Sequence, residues 1–396
     1  MSDSEAPEGT ARRRSLSAEF GPFDGRVWLN SAHQGPLPQS ARIEAEAAIA
    51  AKVNPAYLDE ESFFAVPARV RASIACLINA SPSDVLLANS TSYTLNLIAQ
   101  GLPWRDGDEV ICVDGDFPAT VLPWVTLTRR GVRVSLLRAA DARIDAELLA
   151  SAIGARTRVV CLSWVFSFFG HAVDLDALGA VCRERGVWFV VNGSQAVGAR
   201  VLDVGKTPID ALACCGWKWL CGPYATGFGW LSEPLRAELD NPQPHWLRQR
   251  RSSRIDPVIE YALADDTSAA QLDVFANANF FNFRPFAAAV EHLLAVGPEA
   301  IARHDQLLVE RLLTNLDGTD YDVLSPRTGP ERSTLVFLSR RDRLRNAEVH
   351  ETLRDAEIDI ALREGRLRVS PHLHNSSEDI DRLTDALTGS DARARA

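Results

Sequence analysis

Residues 158–217 read RVVCLSWVFSFFGHAVDLDALGAVCRERGVWFVVNGSQAVGARVLDVGKTPIDALACCGW. Three apolar runs of strand length, RVVCLSWV (158–165), VWFVVN (187–192) and DALACCGW (210–217), are separated by helical and turn-rich stretches. The runs are apolar almost throughout instead of alternating, as in strands whose sheet is covered on both faces. Towards the N-terminus VLLAN (85–89), EVICVD (109–114) and VRVSLL (132–137) continue the pattern. Strand and helix in alternation predict an α/β fold, a mostly parallel sheet covered by helices. In such sheets ligands bind at the carboxyl ends of the strands.

Beyond about residue 300, STLVFLS (333–339), IDIALREG (358–365) and LRVSP (367–371) are shorter runs beside helical stretches such as EDIDRLTDAL (378–387). They predict a second, smaller α/β domain. The expected division is a tail at 1–24, a large domain at 60–285, a small domain built from 25–59 with 286–390, and a tail at 391–396. A formal net charge of −10 argues against nucleic acid or an anionic membrane surface as partner, because both require a basic face. The seven cysteines show no paired metal-ligand spacing, and most read as reduced core residues. No apolar run has the length of a membrane span, and the opening MSDSEAPEGTARRRS lacks the apolar part of a signal peptide, so a cytoplasmic protein is expected.

Lysine is scarce: Lys52, Lys206 and Lys218 stand against 39 arginines. Where arginine serves so widely as the cation, a retained lysine raises the question of whether an amine is needed. Lys218 lies in CCGWKWLCGPYATGFGW (214–230), among apolar neighbours and before turn-forming residues. That setting favours a nucleophilic amine over a solvated surface charge. NSTSYTLNLIAQGL (89–102) follows a strand directly, and Asn89, Ser90 and Thr91 can cap the next helix, whose free N–H groups form an anion site. Alone it reads as an ordinary N-cap; beside a candidate Schiff-base lysine it reads as a phosphate cradle.

With these motifs in order, the chain from WLNSAHQGPLP at residue 28 to EDIDRL at residue 383 resembles the class V aminotransferase family of fold type I pyridoxal 5'-phosphate (PLP) enzymes. It is closest in character to isopenicillin N epimerase-like proteins, and more distantly similar to cysteine desulfurases and kynureninases. The resemblance implies PLP held as a Schiff base on Lys218, with Ser90 and Thr91 as phosphate ligands. Phe117 would stack on the pyridine, Gln195 would bond its phenolic oxygen, and Ser167 would line the same face. Asn277, in FANANFF, would reach the phosphate of a partner subunit, which implies a homodimer with shared sites. Arg368, in GRLRVSPHLHN, would clamp the substrate carboxylate, a task for its planar fork.

Three positions depart from the family pattern. Asn192 stands where an aspartate usually pairs with the pyridine nitrogen, and an amide can only donate a hydrogen bond to a neutral ring. Cys215 and Trp217 replace a hydroxyl and a histidine beside the lysine, leaving the Trp217 indole to restore one phosphate contact. No cysteine follows Cys221, where desulfurases carry their sulfur acceptor. His33, in NSAHQG, borders the substrate pocket and is a candidate for proton transfer or for filling a polar corner. His372 and His374 read as structural.

The expected activity is chemistry at Cα or Cβ of an amino acid through its external aldimine, with Lys218 as general base. β-Elimination, for example from a cysteine S-conjugate in specialised metabolism, is favoured because Asn192 disfavours a long-lived carbanion. Aminotransferase, epimerase or decarboxylating activity stands as the alternative, and a non-catalytic PLP-fold scaffold as a remote one. Substrate selectivity is expected from loops near His33, from 245–254 and from Asn277–Phe283.

Overall fold

The structure is a computed structural model and describes residues 16–138, 143–248 and 267–395. A short strand, β1 (Val27–Trp28), precedes the large sheet, which is formed by β2 (Val85–Ala88), β3 (Glu109–Val113), β4 (Arg133–Leu137), β5 (Thr157–Ser163), β6 (Trp188–Asn192), β7 (Ala211–Cys215) and β8 (Gly227–Leu231). Its strand order is β2-β8-β7-β6-β5-β3-β4. Every neighbouring pair is parallel except those made by β8, which runs antiparallel to β7 and β2. The six expected strands of this sheet are all present. β8 (GFGWL) was not expected, since its glycines weaken a strand pattern. They fit here because a Cβ at Gly229 would come within 2.5 Å of the Thr94 methyl on the covering helix.

Two apolar layers bury the sheet from both sides, which explains its near-continuous apolar strands. One contains Val85, Val160, Phe189 and Phe228; the other contains Leu86, Val110, Trp124 and Val190. A third core, around Val336, Leu338, Leu367, Leu308 and Leu383, belongs to a smaller sheet. That sheet has the order β12-β13-β10-β9, from β9 (Tyr321–Val323), β10 (Val336–Arg340), β12 (Ala361–Arg363) and β13 (Arg366–Val369). β1 pairs in parallel with β11 (Ile358–Asp359), joining the N-terminal segment to this unit.

At the chain ends the expected tails differ from what is seen. Phe20 is buried in the large core, and the helix Ser377–Arg395 runs through residues 391–395. Among the described residues no helix is long and apolar enough to cross a membrane.

Candidate active site

Lys218 lies just past the end of β7, on a turn that the rest of the chain grips tightly. Gly216 donates to the Thr226 carbonyl and Gly222 to the Gly216 carbonyl, both at 2.8 Å, closing the loop. Gly35 donates to the Trp217 carbonyl at 2.8 Å, and a Cβ there would lie 2.0 Å from the Lys218 carbonyl oxygen, so only glycine permits this approach. The fully buried Trp219 donates its indole N–H to Gln195 Oε1 at 2.9 Å. Its carbonyl lies 3.0 Å from His372 Nε2, and His372 Nδ1 lies 2.8 Å from Asp305 Oδ2. Burial disfavours charge on His372, but Asp305 outweighs it and holds the imidazolium up to about 10. Both ring nitrogens are then donors, one fixing the lysine turn and the other anchored in the small domain.

The Lys218 side chain is half-buried and projects into a cavity of about 280 Å³ at the carboxyl ends of β5, β6 and β7. Its Nζ faces the Phe117 ring at 5.5 Å from the centroid, and Phe117 is itself stacked near Phe168. On one side the cavity meets the start of the helix Thr91–Gly101, capped by Ser90, whose Oγ accepts from Tyr93 N–H at 3.2 Å. Ser90, Thr91 and Ser92 all line the cavity, and the first N–H groups of a helix have no intrahelical acceptor. The positive end of the helix and its hydroxyls form an anion cradle.

Beneath Phe117 the polar groups are hydrogen-bonded to one another. Asn192 donates through Nδ2 to Thr120 Oγ1 at 2.9 Å and accepts at Oδ1 from Ser194 N–H at 3.0 Å. Ser163 donates from Oγ to Asp116 Oδ1 at 2.6 Å and from N–H to Asp116 Oδ2 at 2.8 Å. Burial pushes the Asp116 carboxyl up to about 6 against these bonds. Asn192 therefore presents an amide to the cavity, and the nearest acid of this network lies behind Ser163 and Thr120.

The small-domain wall differs. Arg368 is 3% exposed, and its contacts to the Ser167 carbonyl (3.5 Å) and Asn30 Oδ1 (3.4 Å) are long. Its Nε has no partner among the described residues. Burial first, then the neighbouring Arg363, pushes its guanidinium down to about 9. Gln195 donates to the Ala32 carbonyl at 3.0 Å. His33 stands at the mouth, its pKa lowered below 6.5 by burial and then by Arg363, Arg368 and Lys218, so near neutrality it is an uncharged proton acceptor.

Of the residues singled out from sequence, Lys218, His33, Ser90, Thr91, Phe117, Ser167, Asn192, Gln195, Trp217 and Arg368 converge on this cavity. Asn277 does not. It is 5% exposed, and its amide donates to Asp273 Oδ2 at 2.7 Å, within a group that also holds Arg71; its expected reach is to a partner subunit's phosphate and not into this cavity. His245 packs against Phe275 away from the cavity, and 249–254 lie outside the described residues. Ser92, Ser194, Tyr224 and Arg363 also line the cavity and were missed, as was Asp116 behind it. Only Asp116, in the DGDFP turn, carried a local signal: an acid at a strand end before a Pro-started helix.

An amine facing an aromatic ring, a helix end with three hydroxyls and a buried guanidinium nitrogen without a partner fit a planar, phosphate-bearing aldehyde such as PLP with an amino-acid carboxylate beside it. The sequence profile described as Aminotransferase class-V matches residues 58–383. The chain belongs to the class V aminotransferase family and is a PLP-dependent enzyme. It is 28% identical over 379 residues to the isopenicillin N epimerase of Streptomyces clavuligerus, covering 91% of this chain and 94% of that one. It is 26% identical over 334 residues to a probable cysteine desulfurase of Methanothermobacter thermautotrophicus, covering 80% and 82%. Among solved structures, the cystine C-S lyase C-DES in complex with its product cysteine persulfide superposes with a TM-score of 0.81 at 21% identity, covering 93% of this chain and 99% of that one. At that identity the likeness establishes the fold.

Proposed function

We propose that the protein is a PLP-dependent lyase that eliminates a sulfur leaving group from Cβ of a cysteine-like amino acid. Asn192 carries the reading, since it puts a neutral amide where this family's rings are usually paired with an acid. Bound PLP supplies the electron sink for charge developing at Cα. The α3 end, counting Gln39–Val53 as α1, Ser62–Ile78 as α2 and Thr91–Gly101 as α3, would hold the phosphate through Ser90 and Thr91, with Trp217 as a further ligand. Phe117 would stack on the ring, and Gln195 and Ser167 would hold it from the cavity wall.

Arg368 orients the substrate carboxylate, and the Lys218 amine removes the α-proton. His33 is a second acceptor at the mouth. The Cβ–S bond then breaks with its electron pair leaving on sulfur, and the released enamine hydrolyses to pyruvate and ammonia. A carbanion stabilised only weakly is best drained by losing a leaving group at once. Relatives named cysteine desulfurase agree with sulfur chemistry. Transfer of sulfur to a cysteine in the C-terminal part of the chain is disfavoured, because none follows Cys221, which is itself fully buried.

A homodimer is supported by the exposed Ile43, Ile49 and Val53 on α1, with Tyr57 just beyond it. Seven cysteines without a disulfide suit a reducing compartment such as the cytoplasm. The test is incubation of PLP-loaded protein with S-propylcysteine. Pyruvate in amounts far above the enzyme is expected, while Lys218→Ala lowers the rate by about 10³-fold or more. Stoichiometric pyridoxamine phosphate without pyruvate would reject the lyase in favour of transamination.

A further inference from the structure

We propose that the substrate carries a second anion on its side chain and that Arg363 binds it, a reading that rests on the amino-acid site proposed above and narrows its substrate class. β12 and β13 form a hairpin whose register pairs Ala361 with Arg368 and Arg363 with Arg366. Residues opposite one another, and residues two apart on a strand, share a sheet face, so Arg363, Arg366 and Arg368 project from the same side.

Their surroundings separate them. Arg366 is engaged: it meets Glu364 at 3.0 Å and lies over the Phe169 and Phe337 rings. Arg368 is buried and suited to the α-carboxylate common to all amino acids. Arg363 is half-buried, lines the cavity, and among the described residues has no acidic partner. Within the described residues its one hydrogen bond is a 3.5 Å contact to the adjacent Leu362 carbonyl.

Among the described residues no aspartate or glutamate lines the cavity, although Lys218, Arg363, Arg368 and His33 all do. The helix end takes the phosphate and Arg368 takes the α-carboxylate, leaving the Arg363 guanidinium without a counter-ion. A partly desolvated cation aimed into a site and left unpaired is costly unless the ligand completes it. Arg363 and the exposed His33 line the same cavity. The side chain of an amino acid held at Arg368 would extend towards the cavity mouth. A carboxylate or sulfonate at its end meets a forked donor that matches it in shape and charge.

Binding decides the proposal without any elimination. Isothermal titration of the PLP-loaded enzyme compares glutamate and 2-aminoadipate with norvaline and norleucine, which match them in chain length but end in methyl. The acids are expected to bind about 10- to 100-fold more tightly. Arg363→Gln should collapse that ratio to near unity, and Arg363→Lys should restore part of it.

Equal binding of acids and neutral analogues by wild type would overturn the proposal. So would a ratio that survives Arg363→Gln, including the case in which the variant instead loses PLP, which would give Arg363 to the cofactor. Absence of pyruvate from S-substituted cysteines alongside an intact ratio would sink the lyase reading while supporting the second anion site.

Discussion

The two walls of the cavity are built on opposite rules. On the large-domain wall the polar groups are spent on each other: Asn192 on Thr120 and Ser194, Ser163 on Asp116, Gln195 on Trp219 and Ala32. On the small-domain wall the donors are left open, with Arg368 Nε unpartnered and Arg363 without an acid among the described residues. A saturated network has one arrangement and suits a resident cofactor. Open, pre-positioned cations suit a ligand that comes and goes and supplies the missing acceptors itself. Lys218 sits where the walls meet, and the Asp305–His372 pair ties its turn to the small domain.

The tie between the walls is broken most severely by His372→Gln, which leaves the Asp305 carboxylate buried without its cation. A loss of about 3–5 kcal/mol is expected by denaturant unfolding. Because the folded pKa of His372 is raised from 6.5 to about 10, its stabilisation is fully present below pH 6.5 and is lost as pH rises through about 10. The gap in melting temperature between wild type and variant should therefore be widest near pH 6 and narrow towards pH 10; a gap independent of pH would show the pair to be uncharged.

Next in size, Arg368→Gln on the open wall is expected to raise KM for amino acids by about 50- to 100-fold with a smaller fall in kcat, measured by steady-state kinetics. A change confined to kcat would mean that the arginine does not clamp the carboxylate. Smallest, Asn192→Asp on the saturated wall introduces a carboxylate that can pair with a protonated pyridine nitrogen. The yield of pyridoxamine phosphate per pyruvate should rise by about tenfold, and an unchanged ratio would remove Asn192 as the residue that selects elimination.

The large sheet was legible because its strands are buried on both faces, which writes the fold into uninterrupted apolar runs such as residues 187–192. β8 was not, because its glycines reflect close packing against Thr94, a contact absent from local pattern. Lys218 was legible by chemistry, being one of three lysines among 39 arginines. Arg363 was not, since one arginine in an arginine-rich chain means nothing until the hairpin register puts it on one face with Arg368 and Arg366, and the Glu364 and ring contacts of Arg366 set that residue apart. Asn277 was singled out by motif order alone, for a phosphate site shared with a partner, and within its own chain its amide donates to Asp273.

The most direct measurement is borohydride reduction of the PLP-loaded protein followed by peptide mapping in a mass spectrometer. With only Lys52, Lys206 and Lys218 to choose from, the pyridoxyl group is predicted on the peptide carrying Lys218 and on neither of the others. Labelling of Lys52 or Lys206 in its place, or no labelling at all, would contradict the assignment of this cavity as the active site.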